Sequence, residues 1–160
     1  MAYTITNPVS PISQAARQRW MGVLARASHA DLSACLPGIP ALPDHVRLRG
    51  PESGLVMARG RAGGAGAAFN LGEMSVTRCT VRDVDGRIGH AYVSGRDGQQ
   101  SELAARLDAV LQDPAWHEQV EAAVIAPLAE AQDARRAADA RKAAATRVQF
   151  FTLATMRSGS

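Results

Sequence analysis

The stretch that comes closest to a chemical device is Arg61-Ala-Gly63-Gly64-Ala-Gly66. Glycines free of side chains let successive backbone N–H groups converge on an anion, so the composition is that of a phosphate cradle. It matches neither G-x-x-x-x-G-K-S/T nor G-x-G-x-x-G, and no helix is predicted to follow it. The same glycines serve equally for a tight bend or for close contact with another chain. A second device is a set of arginines on strands. Alternation places Arg59 and Arg61 on one strand face, and Arg78 and Arg82 on one face with Thr80 between them. Such a row receives a triphosphate or an acidic partner, or is simply a solvated face. Gly95-Arg96-Asp97 is a sharp exit with charged tips that serves as a functional tip or merely as a cap. The four histidines, at 29, 45, 90 and 117, stand beside no serine or cysteine in the order of a hydrolytic triad. Cys35 and Cys79 form neither a C-x-x-C nor a zinc-ligand spacing and read as reduced, buried thiols.

These residues need elements to hold them. The first dozen residues, with Pro8 and Pro11, read as a disordered arm, and 13–156 as a single α+β domain. Within it, 13–36 is helical, 46–94 is sheet and 99–150 is helical. Ser13 is predicted to cap a helix through Ala27 with Ala16, Trp20 and Leu24 on its inner stripe, and Ser28 with Asp31 a capping box. Pro37 to Pro43 is a stiff connector. The middle carries four strand candidates: Val46–Arg49, Leu55–Arg61, Met74–Asp83 and Arg87–Ser94. Pro51-Glu-Ser-Gly54 reads as a turn and Asp85-Gly86 as a hairpin. Asp97 or Ser101 caps a helix to about Leu111. Asp113-Pro114 opens another, which Pro127 must kink or divide. The expected architecture is a central antiparallel sheet of about four strands, N-terminal helices and a long C-terminal helical region.

With 160 residues the chain is long enough for one core, but alanine is the commonest residue within its 46% hydrophobic content and only 4% is aromatic. That predicts a thin core and stability shared with a partner. The net charge of +3 is uneven: residues 46–96 hold eight arginines against four acids, and 97–160 seven bases against nine acids. An arginine-rich middle suits phosphates and carboxylates. The start lacks the basic and apolar regions of a secretory signal, and no stretch is apolar for the roughly 18 residues a membrane span needs, so the expected location is cytoplasmic.

The C-terminal segment is the predicted partner anchor. Phe150 and Phe151 are two of three phenylalanines and follow a helix poor in large side chains. Adjacent rings cannot both face one core, so one meets another surface, with Arg147 a helical turn earlier placed to pair at the rim.

The ordered segments carry a resemblance. They begin with Arg17-Gln-Arg-Trp20-Met21 and Pro51-Glu-Ser-Gly54-Leu55-Val56-Met57. Arg61-Ala-Gly63-Gly64-Ala-Gly66-Ala-Ala-Phe69-Asn70-Leu71-Gly72-Glu73 and Thr77-Arg78-Cys79 come next. Gly89-His90-Ala91-Tyr92-Val93 with Gly95-Arg96-Asp97, and Ala144 through Thr152, complete the series. Together, over about residues 15–153, they resemble the G subunit of carbon–phosphorus lyase, the PhnG family. After Thr152 the chain departs from the family's pattern, reading Leu-Ala-Thr-Met-Arg-Ser-Gly.

That resemblance implies a non-catalytic subunit of a core complex with H, I and J subunits and associated L and K proteins. The complex places the ribose triphosphate of ATP on an alkylphosphonate such as methylphosphonate and releases adenine. The chain is then a component of a multisubunit transferase (alpha-D-ribose 1-methylphosphonate 5-triphosphate synthase). It has no self-contained active site and no cofactor of its own, since ATP and phosphonate are substrates of the complex. The residues themselves leave two other classes open: an independent anion- or nucleic-acid-binding module on the arginine face, and a stand-alone transferase using the glycine loop. Scarce lysine and the acidic final third count against nucleic acid.

Overall fold

The computed structural model describes residues 12–61 and 66–146. Helix α1, Gln14–Arg26, begins where Ser13 Oγ accepts the Ala16 N–H at 3.2 Å. Helix α2, His29–Cys35, opens on the expected capping box, with Ser28 and Asp31 bonded reciprocally. A 3-10 turn at Leu36–Gly38 absorbs Pro37, and Ile39 drops into the core.

The sheet has three strands, not four, in the order β1-β2-β3: β1 is His45–Gly60, β2 Phe69–Asp83 and β3 Ile88–Ser94, all antiparallel. The two predicted strands at 46–49 and 55–61 are one. Pro51 to Gly54 stays extended instead of turning, because β1 is an edge strand and its pairing skips one residue between Arg49↔Thr80 and Glu52↔Arg78. Proline, lacking an N–H, is tolerated at such a bulge. The hairpin at Asp85-Gly86 is as predicted. Gly86 has φ +88°, and Asp83 Oδ1 accepts the Asp85 and Arg87 N–H groups.

Helix α3, Gly98–Leu111, lies across all three strands. Asp97, rather than Ser101, is its cap, accepting the Gln100 N–H at 2.9 Å. Its sheet side is lined by small residues, Ala105 and Ala109, which meet Gly89 of β3 so closely that a Cβ there would lie 1.9 Å from the Ala105 carbonyl oxygen. The expectation of a thin, alanine-rich core holds at this layer only. Around the rest of α3 the large side chains gather, with Trp20, Leu24, Leu32, Leu107, Leu111 and Ile125 fully buried.

Helix α4, Pro114–Val120, starts at the predicted Asp113-Pro114. It passes through a π turn, Glu121–Ile125, into α5, Ala126–Ala145. The wider turn just before Pro127 accommodates the missing N–H, so the proline sits in the first turn of α5 without separating the helices. Only Leu128 and Gln132 of α5 are buried. Gln132 donates to the Val23 carbonyl and accepts from Arg26, fixing the base of α5 on α1. No helix among the described residues is long and apolar enough to cross a membrane.

The seam between α3 and β1 is electrostatic. Glu102 accepts from Arg47 Nε and Nη2, each at 2.8 Å, and from His45 Nε2 at 2.8 Å. The Arg47 guanidinium holds the Glu102 carboxyl below its ordinary value of 4.5. A carboxyl lowered on folding contributes stability above its unfolded value and loses it as pH falls through the folded one. Melting temperature should therefore drop more steeply below about pH 4.5 in the native chain than in Glu102→Gln, which has no such proton to take up. Parallel acid limbs in the two would remove this seam from the acid response.

Candidate functional site

β3 pairs only with residues 76–82 of β2, whereas β1 and β2 stay paired out to Gly60↔Phe69. Residues 55–60 and 69–75 thus form a two-stranded ribbon that runs beyond the three-stranded sheet. At about 3.3 Å per residue it extends some 20 Å. A lone two-stranded ribbon is marginal in water, and this one exposes large apolar side chains: Leu55 at 58%, Met57 at 50%, Phe69 at 47% and Leu71 at 63%. Leu71 folds its methyl groups back over Gly60, where a Cβ would come within 2.5 Å of it. The remaining apolar surface points outward, the mark of a contact surface.

The pleat divides the arginines between two faces. Arg78, Thr80 and Arg82 do share one face, as predicted, and it is the face away from α3, beside His90 and Tyr92 of β3. Val56 and Met74 continue this open face onto the ribbon. Arg59, opposite Asn70, falls on the other side by alternation, so no single arginine row runs along the hairpin. A shallow cavity of about 170 Å³ opens at the base of the ribbon between Glu52, Val56, Arg78 and Tyr92.

Much of the positive charge is answered within the fold. Glu52 joins Arg49 at 2.9 Å and Arg78 at 3.2 Å, and the Arg49 hydrogen bond draws the Glu52 carboxyl below its usual range. Arg87 is shared by Asp83, Asp85 and Asp113. Arg59, Arg61, Arg82 and Arg96 are exposed and form no ion pair among the described residues. Arg61 directly follows the end of β1 at Gly60, and Gly66 is exposed in a bend at the other side of the loop; Gly63 and Gly64 lie outside the described residues, as do Arg147, Phe150 and Phe151. Arg96 stands in the tight exit from β3, where Gly95 has φ +94°. The structure therefore brings Arg61 and Gly66 to the tip of the ribbon, sets Arg78 at its base, and leaves Arg96 beyond the end of β3.

Each histidine is engaged locally. His45 meets Glu102, His90 meets Thr80 Oγ1 at 3.1 Å, and His117 meets the Leu111 carbonyl with its ring 5.4 Å from Trp20. His29 Nε2 lies 3.4 Å from Ser33 Oγ, a serine–histidine contact, but its buried Nδ1 has no partner among the described residues, so no acid among them orients the ring. Both cysteines are free, and burial raises their thiols above the usual range.

The residue that sequence reasoning passed over is Asp108. It is fully buried and accepts from Arg17 Nε and Nη2, Trp20 Nε1 and the His90 N–H. One carboxylate ties α1, α3 and β3 together. An acid set among the apolar positions Leu103, Leu107, Val110 and Leu111 was the available signal.

These features define a class: a small α+β protein whose buried acid Asp108 and histidines are engaged within its own fold, while one sheet face and a long apolar ribbon stay open. The family described as "Phosphonate metabolism protein PhnG" matches residues 15–157. The chain is also 44% identical over 141 residues to a protein of Rhizobium meliloti (strain 1021), "Alpha-D-ribose 1-methylphosphonate 5-triphosphate synthase subunit PhnG". That match spans 87% of this chain and 88% of the relative. The chain belongs to the PhnG family of phosphonate metabolism proteins.

Proposed function

We propose that this chain is a non-catalytic, cytoplasmic subunit of the carbon–phosphorus lyase core complex. There it supports transfer of the ribose triphosphate of ATP to an alkylphosphonate, with release of adenine. Its partners are the H, I and J subunits and the associated L and K proteins, and the nucleotide and phosphonate are handled by the complex. The observation that carries this reading is the ribbon, whose exposed Leu55, Met57, Phe69 and Leu71 gain burial only against another surface. The similarity to a protein named as a synthase subunit supplies the reaction.

Apolar anchors at an interface commonly contribute about 2 kcal/mol or more each, a roughly thirtyfold change in affinity. The double substitution Leu55→Asp with Met57→Asp should therefore abolish co-purification with the other subunits while the free chain keeps its helical circular dichroism. The unmodified chain alone, given ATP and methylphosphonate, should release no adenine, and release should appear when the other subunits are added. Adenine from the purified chain alone, or intact complexes from the double variant, would refute this reading.

An anion-binding module on the arginine face is the competing reading, favoured by Arg59, Arg61, Arg82 and Arg96, which form no ion pair among the described residues. The pairing of Arg78 and Arg49 with Glu52 weakens it. It requires an affinity for polyanions that falls steeply with salt.

A further inference from the structure

The outer edge of β3 is closed along its first half and open along its second. The Ile88 carbonyl accepts from Arg17 Nη2 at 3.2 Å and from Gln112 Nε2 at 2.9 Å, and the His90 N–H donates to Asp108 Oδ2 at 2.9 Å. Residues 88 and 90 thus turn backbone groups away from β2, and alternation carries that direction to Tyr92 and Ser94. The His90 carbonyl, both backbone groups of Tyr92 and the Ser94 N–H face outward, with no partner among the described residues. An unpaired strand edge of this kind accepts an extended segment.

Beside that edge lies an apolar cavity of about 210 Å³ between α1 and β3. Met21, Gly22 and Ala25 border it on one side, Val93 and Ala104 on the other. An apolar cavity of about 150 Å³ holds a benzene-sized group, so this one has room for a branched aliphatic side chain. A strand added to β3 would send alternate side chains toward it.

Two observations narrow the occupant. Helix α1 packs on both α3 and β3, on the helical side of the sheet. A second copy joined through β3 would bring its own α3, which spans all three of its strands, into the space that α1 fills. Only a segment with no helix layer of its own fits beneath α1. Positive charge stands at both ends of the edge. Arg82 is opposite Ile88, Arg96 follows β3, and Arg26 lays its guanidinium over Gly22, where an added Cβ would meet Nη1 and Nη2 at 3.6 Å. All three are exposed and form no ion pair among the described residues. Asp97, the acid beside Arg96, is taken up in capping α3. The complement is a segment with carboxylates near its ends.

We propose that an extended segment of one of the other subunits adds to β3 along His90–Ser94. It places an aliphatic side chain in the cavity and carboxylates at Arg82 and at the pair Arg26 and Arg96. This rests on the proposed function, but uses a surface separate from the ribbon, one that offers backbone groups as well as side chains.

Amide hydrogen exchange tests it on the free chain and on the complex assembled with the other subunits. On assembly the Tyr92 and Ser94 amides should slow roughly a hundredfold, while Val81 and Leu107 stay as slow as before. Gly22→Leu fills the cavity, and its Cβ meets only the flexible Arg26 side chain. A better helix former replaces glycine there, so the melting temperature should not fall. In that variant, and in Arg26→Glu with Arg96→Glu, the two amides should exchange roughly tenfold or more faster than in the native complex. A native complex in which both amides exchange as in the free chain overturns this proposal and leaves the ribbon reading standing. Undiminished protection in either variant also overturns it. Protection already present in the free monomer, or appearing in it alongside a dimer, puts the chain itself or a second copy on the edge and overturns it as well. If the native chain forms no complex, the proposed function fails and this proposal with it.

Discussion

Asp108→Ala is expected to lower the stability of the chain by about 3–5 kcal/mol, the range for breaking a buried ion pair by removing one partner. The site has no solvent to repair the loss: the Asp108 side chain is 0% exposed and that of Arg17 is 32% exposed. Removing the carboxylate strands the Trp20 indole N–H, which donates at 2.8 Å in the interior, and frees the His90 N–H at the sheet edge. An orphaned buried donor costs about 1–3 kcal/mol by itself. For a protein of this size the drop in melting temperature is on the order of 10 °C. Arg17→Ala, which leaves the carboxylate with its Trp20 and His90 donors, should cost less. A thermal melt of Asp108→Ala within two degrees of the native chain would show that α1 and β3 are held by packing alone.

Gly89→Ala is expected to cost about 3 kcal/mol, the upper end of what overpacking a core costs. The added Cβ would lie 1.9 Å from the Ala105 carbonyl oxygen, 2.7 Å from the Ala109 nitrogen and 2.9 Å from the Ala109 Cβ. Two of these are backbone atoms of α3, so no side-chain rotation relieves the contact, and the helix must lift from the sheet. Leu107, Asp108 and Leu111 travel with it. Gly54→Ala is the matched control, because a Cβ there meets nothing within 4 Å. Its effect should stay within about 0.5 kcal/mol. Equal urea midpoints for the two variants would mean that α3 does not rest on β3 as closely as these distances require.

Both positions show how unevenly the fold is written in the sequence. Ser13, the Ser28–Asp31 box, Asp113-Pro114 and Asp85-Gly86 were legible because each acts through hydrogen bonds only two to four residues away. The segments that identify the PhnG family were legible for another reason, since they are patterns of residues and need no geometry. Pro51 misled for want of context. Its turn signal is local, but whether an edge strand absorbs it as a bulge depends on a partner some 27 residues further along, where Arg49 and Glu52 meet Thr80 and Arg78. The candidate site divides the same way: Arg61, Gly66 and Arg78 could be singled out by type, but the ribbon that relates them appears only once β1 and β2 pair past the end of β3. The sequence by itself determined the starts of α1, α2 and α4, the hairpin turn, the antiparallel class and the family. The tertiary structure alone decided the strand count, the exposed ribbon, the Gly89 contact and the burial of Asp108, which meets Arg17 from 91 positions away. Those depend on which distant surfaces come together, and no local rule of spacing or propensity carries that information.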